Sequence, residues 1–232
     1  METGKVVRRE RQYWDSARES SWLTHQSIHS ILSNCAPFEG DILELCSGIG
    51  MFTVAIPKTF RSYTCLDVSA MRLASLCRAA PDVNLVQGDA QNLAFASSSF
   101  DYVCVFAGLH HLPNYEAALR ESYRVLRPNG CLVCLEPNAK CWYRGLVRPI
   151  RRIIGLFTED EVFLDPFELA GRLASVGFHR VEPRYLTPQY DNDFLGNTLN
   201  KFLARLVYAG SRIASNHGWQ AFVLMTAKKP LH

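Results

Sequence analysis

The chain has no apolar run approaching the roughly 18 residues that a bilayer-crossing helix needs, so no membrane span is expected. Residues 1–20 are polar and charged, so no secretory leader is expected and a reducing cytoplasm is the predicted compartment. Charge of one sign is also missing. The 25 Lys and Arg stand against 22 Asp and Glu, a net +3 too mild for a nucleic-acid footprint. No internal repeat or low-complexity linker divides the sequence, which predicts a single domain over 1–232. The 8 cysteines lack the arrangement of a metal site. Cys131 and Cys134 have zinc-like spacing, but no second pair follows, and strand alternation puts them on opposite faces. Cys46, Cys65, Cys104, Cys131 and Cys134 fall in apolar strand-like runs, where a free thiol behaves as a small hydrophobe. No metal is expected.

What is there is an ordinary globular composition, 48% hydrophobic and 20% charged over 232 residues. It is organised around Asp41-Ile42-Leu43-Glu44-Leu45-Cys46-Ser47-Gly48-Ile49-Gly50. Ile42–Cys46 is predicted to be a buried parallel strand, and Met51–Ile56 a helix that starts straight after a small-residue turn. Strand, glycine turn and helix together bring a nucleotide-like ligand against bare backbone N–H groups. A dinucleotide fingerprint needs a third glycine, and Thr53 stands there instead. Glu44, inside the strand end, is badly placed for a pyrophosphate and well placed to accept from a ligand ammonium.

Glu44-Leu45-Cys46-Ser47-Gly48-Ile49-Gly50 resembles motif I of the class I S-adenosylmethionine-dependent methyltransferases, with Cys46 where that family usually carries Gly. Further stretches follow in the family's order. Ser62–Ser69 is a second strand ending at Asp67, at the separation where one βαβ unit delivers a ribose-binding carboxylate. A helix N-cap is the bland alternative for Asp67, and Ser69 fills that role equally well. Val83–Ala90 is a third strand, whose Asp89 and Ala90 the resemblance assigns to adenine. Phe100-Asp101-Tyr102-Val103 is similar to the family's next strand start, where Asp101 ties the strand entry to the sheet. Leu109-His110-His111-Leu112 through Arg127-Pro128-Asn129-Gly130 is similar to the ubiquinone/menaquinone-type (methyltransferase type 11) small-molecule group.

The resemblance implies a Rossmann-like α/β fold, a seven-stranded mostly parallel sheet with an antiparallel edge strand and helices on both faces. It divides the chain into an N-terminal helical lid (1–38), a cofactor-binding core (39–137), acceptor-site insertions and helices (138–218) and a closing strand (219–228). It also implies S-adenosyl-L-methionine as cofactor, held by Tyr13, Glu44, Cys46, Gly48, Gly50, Asp67, Val68, Asp89, Ala90 and Phe106. For residues 1–38 a helix packed on the domain is the plainer reading.

Methyl transfer from a sulfonium needs an acceptor lone pair aligned behind the methyl, so orientation carries much of the rate. A hydroxyl acceptor also needs a base, and His111, with His110 after it, is placed at the cofactor edge for that role. The alternative is that both only line the pocket. The fourth strand runs into Gly108-Leu109-His110-His111 and shows no Asn-Pro-Pro-Tyr-like tetrad, which favours a small-molecule or lipid-like acceptor over a macromolecule. Two other readings remain: a catalytically silent methyltransferase-like partner subunit and a nicotinamide-dependent oxidoreductase. Lys140, Arg144, Arg148, Arg151 and Arg152 would share one helix face, either as a solvated surface or as a peripheral contact with anionic membrane.

Overall fold

The computed structural model describes residues 23–33, 35, 37–141, 164–187 and 220–231, with residues 8, 11, 12, 15, 201, 202, 205 and 209. The strands are β1 (Gly40–Leu45), β2 (Phe60–Asp67), β3 (Asn84–Gln87), β4 (Phe100–Phe106), β5 (Leu126–Pro137), β6 (His179–Leu186) and β7 (Phe222–Lys228). They form one sheet in the order β3-β2-β1-β4-β5-β7-β6. β1 pairs in parallel with β2 and β4, β2 with β3, and β4 with β5. β7 runs antiparallel between β5 and β6. The strand order therefore reverses between β1 and β4, and the crevice beyond their carboxyl ends is where open α/β sheets hold ligands.

Strand alternation separates two cores. Leu43 and Leu45 face one side with Ala118, Leu119, Leu169 and Leu173. Those last four come from α3 (Tyr115–Val125) and α4 (Pro166–Val176). Ile42 faces the other side with Ile28, Ile31 and Leu76, from α1 (His25–Ser33) and α2 (Ala70–Ala79). The apolar positions Ile28, Ile31 and Leu32 of α1 lie in this core. Cys131 and Cys134 lie in different cores, as period-2 alternation requires.

Helix starts follow local capping chemistry. Ser69 Oγ accepts from the Arg72 amide at 3.2 Å, Asn114 Oδ1 from Ala117 at 3.1 Å, and Asp165 Oδ1 from Phe167 at 2.9 Å. The helix expected over Met51–Ile56 is instead a single 3-10 turn, Thr53–Ala55. Pro57 supplies the reason. The residue before a proline is disfavoured in the helical region, and Ile56 is extended at φ −68°, ψ 132°.

At the amino ends of the strands, Arg127 donates to Asp101 Oδ2 at 2.8 Å and to Asp41 Oδ2 at 2.9 Å. The Asp41 amide donates to the same Asp101 oxygen at 2.8 Å, so Asp101 ties β1, β4 and β5 together, the role read for it from the sequence. This network lies at the opposite end from the crevice and leaves the carboxyl edge for chemistry.

Candidate active site

Two strand exits adopt a conformation that most residues avoid. Cys46, after β1, has φ 54°, and Ala107, after β4, also has φ 54°. Non-glycine residues held in the left-handed region need surrounding structure to fix them, and such positions cluster at ligand sites. Here the Ser47 amide donates to Leu66 O at 3.1 Å and the Ala107 amide to Leu135 O at 2.6 Å. Gly48 and Gly50 continue the first turn at φ 57° and 80°. A Cβ on Gly50 would lie 2.1 Å from Leu76 Cδ1, so only glycine lets this turn sit against α2.

Asp67 closes the turn from β2. Its Oδ2 accepts from the Gly48 amide at 2.8 Å and its Oδ1 from the Ser69 amide at 2.9 Å. Burial pushes this carboxyl above its ordinary range, against the opposing effect of the two amides and of the Arg72 guanidinium. The competing cap role belongs to Ser69, whose Oγ also donates to Asp15 Oδ1. Asp15 therefore lies beside the crevice, while Tyr13 lies outside the described residues. Val68 is half-buried next to Asp67, and its carbonyl accepts from Gln87 Nε2 at 3.0 Å. Asp89 Oδ1 accepts from the Gln91 amide at 2.9 Å, which turns the chain after β3 and buries Ala90.

Two site residues expected from the sequence have partners within the core. Glu44 Oε2 accepts from Thr53 Oγ1 at 2.6 Å and Tyr63 OH at 2.7 Å. It sits inside the core on the α1 side because alternation along β1 turns it that way, opposite Leu43 and Leu45. Burial raises its pKa to about 7, the two hydroxyls acting against the rise. Phe106 stacks on Phe52 at 4.1 Å between ring centroids within the same core, so its ring serves packing.

The turn Gly108–His111 packs on the glycine turn, since a Cβ on Gly108 would come within 2.7 Å of Cys46 Cβ. Sequence reasoning missed Glu136, in β5, which is fully buried beneath this turn. Its Oε1 accepts from the Gly108 and Leu109 amides at 3.1 and 2.8 Å, and its Oε2 lies 2.7 Å from His110 Nδ1. The available signal was a carboxylate at a strand's carboxyl end, the same signal that marked Asp67. His111 lies against His110 with ring centroids 4.0 Å apart, and burial holds its imidazole well below the usual histidine range. Among the described residues no group of three or more His, Cys, Asp or Glu side chains could hold a metal ion.

Residues 43–134 match the family model described as a methyltransferase domain. The sequence is 38% identical over 106 residues to the demethylmenaquinone methyltransferase of Staphylococcus epidermidis, covering 41% of this chain and 42% of that protein. The chain thus matches less than half the length of the curated relatives. Among solved structures, Haemonchus contortus phosphoethanolamine N-methyltransferase 2 in complex with S-adenosyl-L-methionine superposes with a TM-score of 0.68 at 15% identity. That match covers 95% of this chain and 60% of the other. The cyclase SpnF gives the same TM-score, 0.68, at 15% identity, covering 98% and 97%. At such identities these two show the fold alone.

Proposed function

We propose that the chain transfers the methyl group of S-adenosylmethionine to a small-molecule or lipid-like acceptor by in-line displacement. The observation that carries this reading is the pairing of Asp67 with the Gly48 amide at the switch point of the sheet. Each Asp67 oxygen takes one backbone N–H, and a carboxylate oxygen accepts more than one hydrogen bond, so the pair can still receive the two hydroxyls of a ribose. Gly48 and Gly50 leave bare backbone beside it, which suits a nucleoside ligand. In this reading Ala90, buried, and Val68, half-buried, flank the adenine ring. The 38% identity to a demethylmenaquinone methyltransferase supports a small-molecule acceptor.

Isothermal titration with S-adenosylhomocysteine and with NAD separates the main alternatives. Binding of S-adenosylhomocysteine is expected; tight NAD binding in its place would revive the oxidoreductase. Because the cyclase SpnF shares this fold, transfer itself is tested with S-adenosylmethionine tritiated on its methyl. Label retained wholly in the cofactor, across phenol, quinol and amine acceptors, would mark a silent binding subunit.

A further inference from the structure

We propose that Glu136 is a positioning residue that makes His110 the general base, and that the acceptor is a hydroxyl compound whose oxygen receives the methyl. This inference rests on the methyl-transfer reading above and deepens it. A carboxylate with no solvent exposure is costly unless donors surround it, and Glu136 has two amides on Oε1 and an imidazole at Oε2. The amides favour the ionised form. An ionised carboxylate only accepts, so the proton between it and His110 sits on Nδ1, and Nε2 is the basic nitrogen.

The same carboxylate also fixes where that imidazole stands. By binding the Gly108 and Leu109 amides it holds the start of the 3-10 turn Leu109–His111. Gly108 in turn rests on Cys46 of the glycine turn. One buried side chain therefore sets tautomer, ring orientation and distance from the cofactor turn together. His111 is the weaker choice, since burial depresses its basicity.

A neutral amine already presents its lone pair and needs no such base, whereas a phenol or enol is a poor nucleophile until its proton leaves. His110 Nε2 takes that proton as the oxygen forms its bond to the methyl carbon. The carbon–sulfur bond breaks with its electron pair kept by sulfur, leaving a neutral thioether and an ether product. Glu136 then balances the imidazolium, which later returns the proton to water.

The test begins with NMR of the histidine ring nitrogens in the S-adenosylhomocysteine complex. The wild-type protein is expected to carry the His110 proton on Nδ1. Glu136→Gln presents an amide N–H to that nitrogen and is expected to move the proton to Nε2, with S-adenosylhomocysteine affinity unchanged. Tritium from the labelled cofactor is expected to enter catechol or hydroquinone probes and not primary amines. That transfer is expected to fall roughly 10²–10⁴-fold in His110→Gln, whose amide still serves Glu136, and to fall markedly in Glu136→Gln. If Glu136→Gln does not fold, His110→Gln alone decides, because its turn is partly exposed. A proton on Nε2 in the wild type, label entering amines, or undiminished transfer in His110→Gln would overturn the inference while cofactor binding still stood. Failure to bind S-adenosylhomocysteine would overturn the methyl-transfer reading and this role with it.

Discussion

The Gly48 amide donates to Asp67 Oδ2 at 2.8 Å, joining the glycine turn after β1 to the end of β2. The contact links two segments 19 positions apart that parallel pairing alone would only lay side by side. It aims a buried carboxylate at the crevice and holds the turn shut against α2. On the proposed function, binding and turn geometry share one side chain, and substitutions at Asp67 test both.

Asp67→Ala is expected to weaken S-adenosylhomocysteine binding ten- to a hundredfold, since charge-assisted hydrogen bonds contribute roughly 1.5–3 kcal/mol. Asp67→Asn keeps the shape and one acceptor oxygen, and should retain more of the affinity. Calorimetry on folded variants checks this. Equal affinity in all three proteins would remove the ribose role.

Glu44 predicts a pH dependence of stability. Its pKa rises from an ordinary 4.5 to about 7 on folding, chiefly through burial. Between those values the folded protein keeps a proton that the unfolded chain has lost, so stability falls as pH rises. The loss is complete above about 7 and amounts to on the order of 3 kcal/mol. Urea midpoints of wild type and Glu44→Gln are expected to diverge across this window, with the variant the flatter of the two. Cofactor affinity measured over the same range tests the ammonium role. A rise with pH in wild type alone would assign Glu44 the ligand's ammonium, and flat profiles in both would leave it a core group.

Cys46 and Gly108 are predicted to be energetically coupled. A Cβ on Gly108 would meet Cys46 Cβ at 2.7 Å and Sγ at 3.2 Å. Gly108→Ala should cost about 1–3 kcal/mol in the wild type, as overpacking does. In a Cys46→Gly background the cost should shrink, although Val105 Cγ1 at 3.0 Å keeps it above zero. A coupling below about 0.5 kcal/mol in the double-mutant cycle would mean that the two turns relax independently.

The basic run leaves two readings to separate, a solvated surface and a peripheral contact with anionic membrane. Lys140 is paired with Asp165 at 2.8 Å, which weakens its share of the attraction. Arg144, Arg148, Arg151 and Arg152 lie outside the described residues, and no helix among those described is long and apolar enough to cross a membrane. Cosedimentation with anionic and not neutral vesicles, weakening with salt and with Arg148/Arg151/Arg152→Ala at ~1 kcal/mol per charge, would establish the membrane contact. Equal, negligible pelleting with both would leave a water-borne acceptor.

Much of this protein was legible in the sequence because it depends on local pattern. Period-2 alternation put Cys131 and Cys134 in different cores, and Ser69 and Asp165 announced the helices that they cap. The Glu44–Gly50 signature and the carboxylate ending β2 marked the switch-point edge of the sheet. Even the failed helix at 51–56 was written in Pro57, which local sterics would have read correctly. Tertiary structure decided which groups meet. Arg124 holds Glu121 at 2.7 Å and the carbonyls of Leu93 and Phe95 at 3.0 and 2.8 Å. Glu44 turned toward Thr53 and Tyr63, Phe106 toward Phe52, and Glu136 toward His110 across 26 positions. Such pairings depend on strand register and on the rotamers that a packed core permits, and no spacing along one chain encodes them.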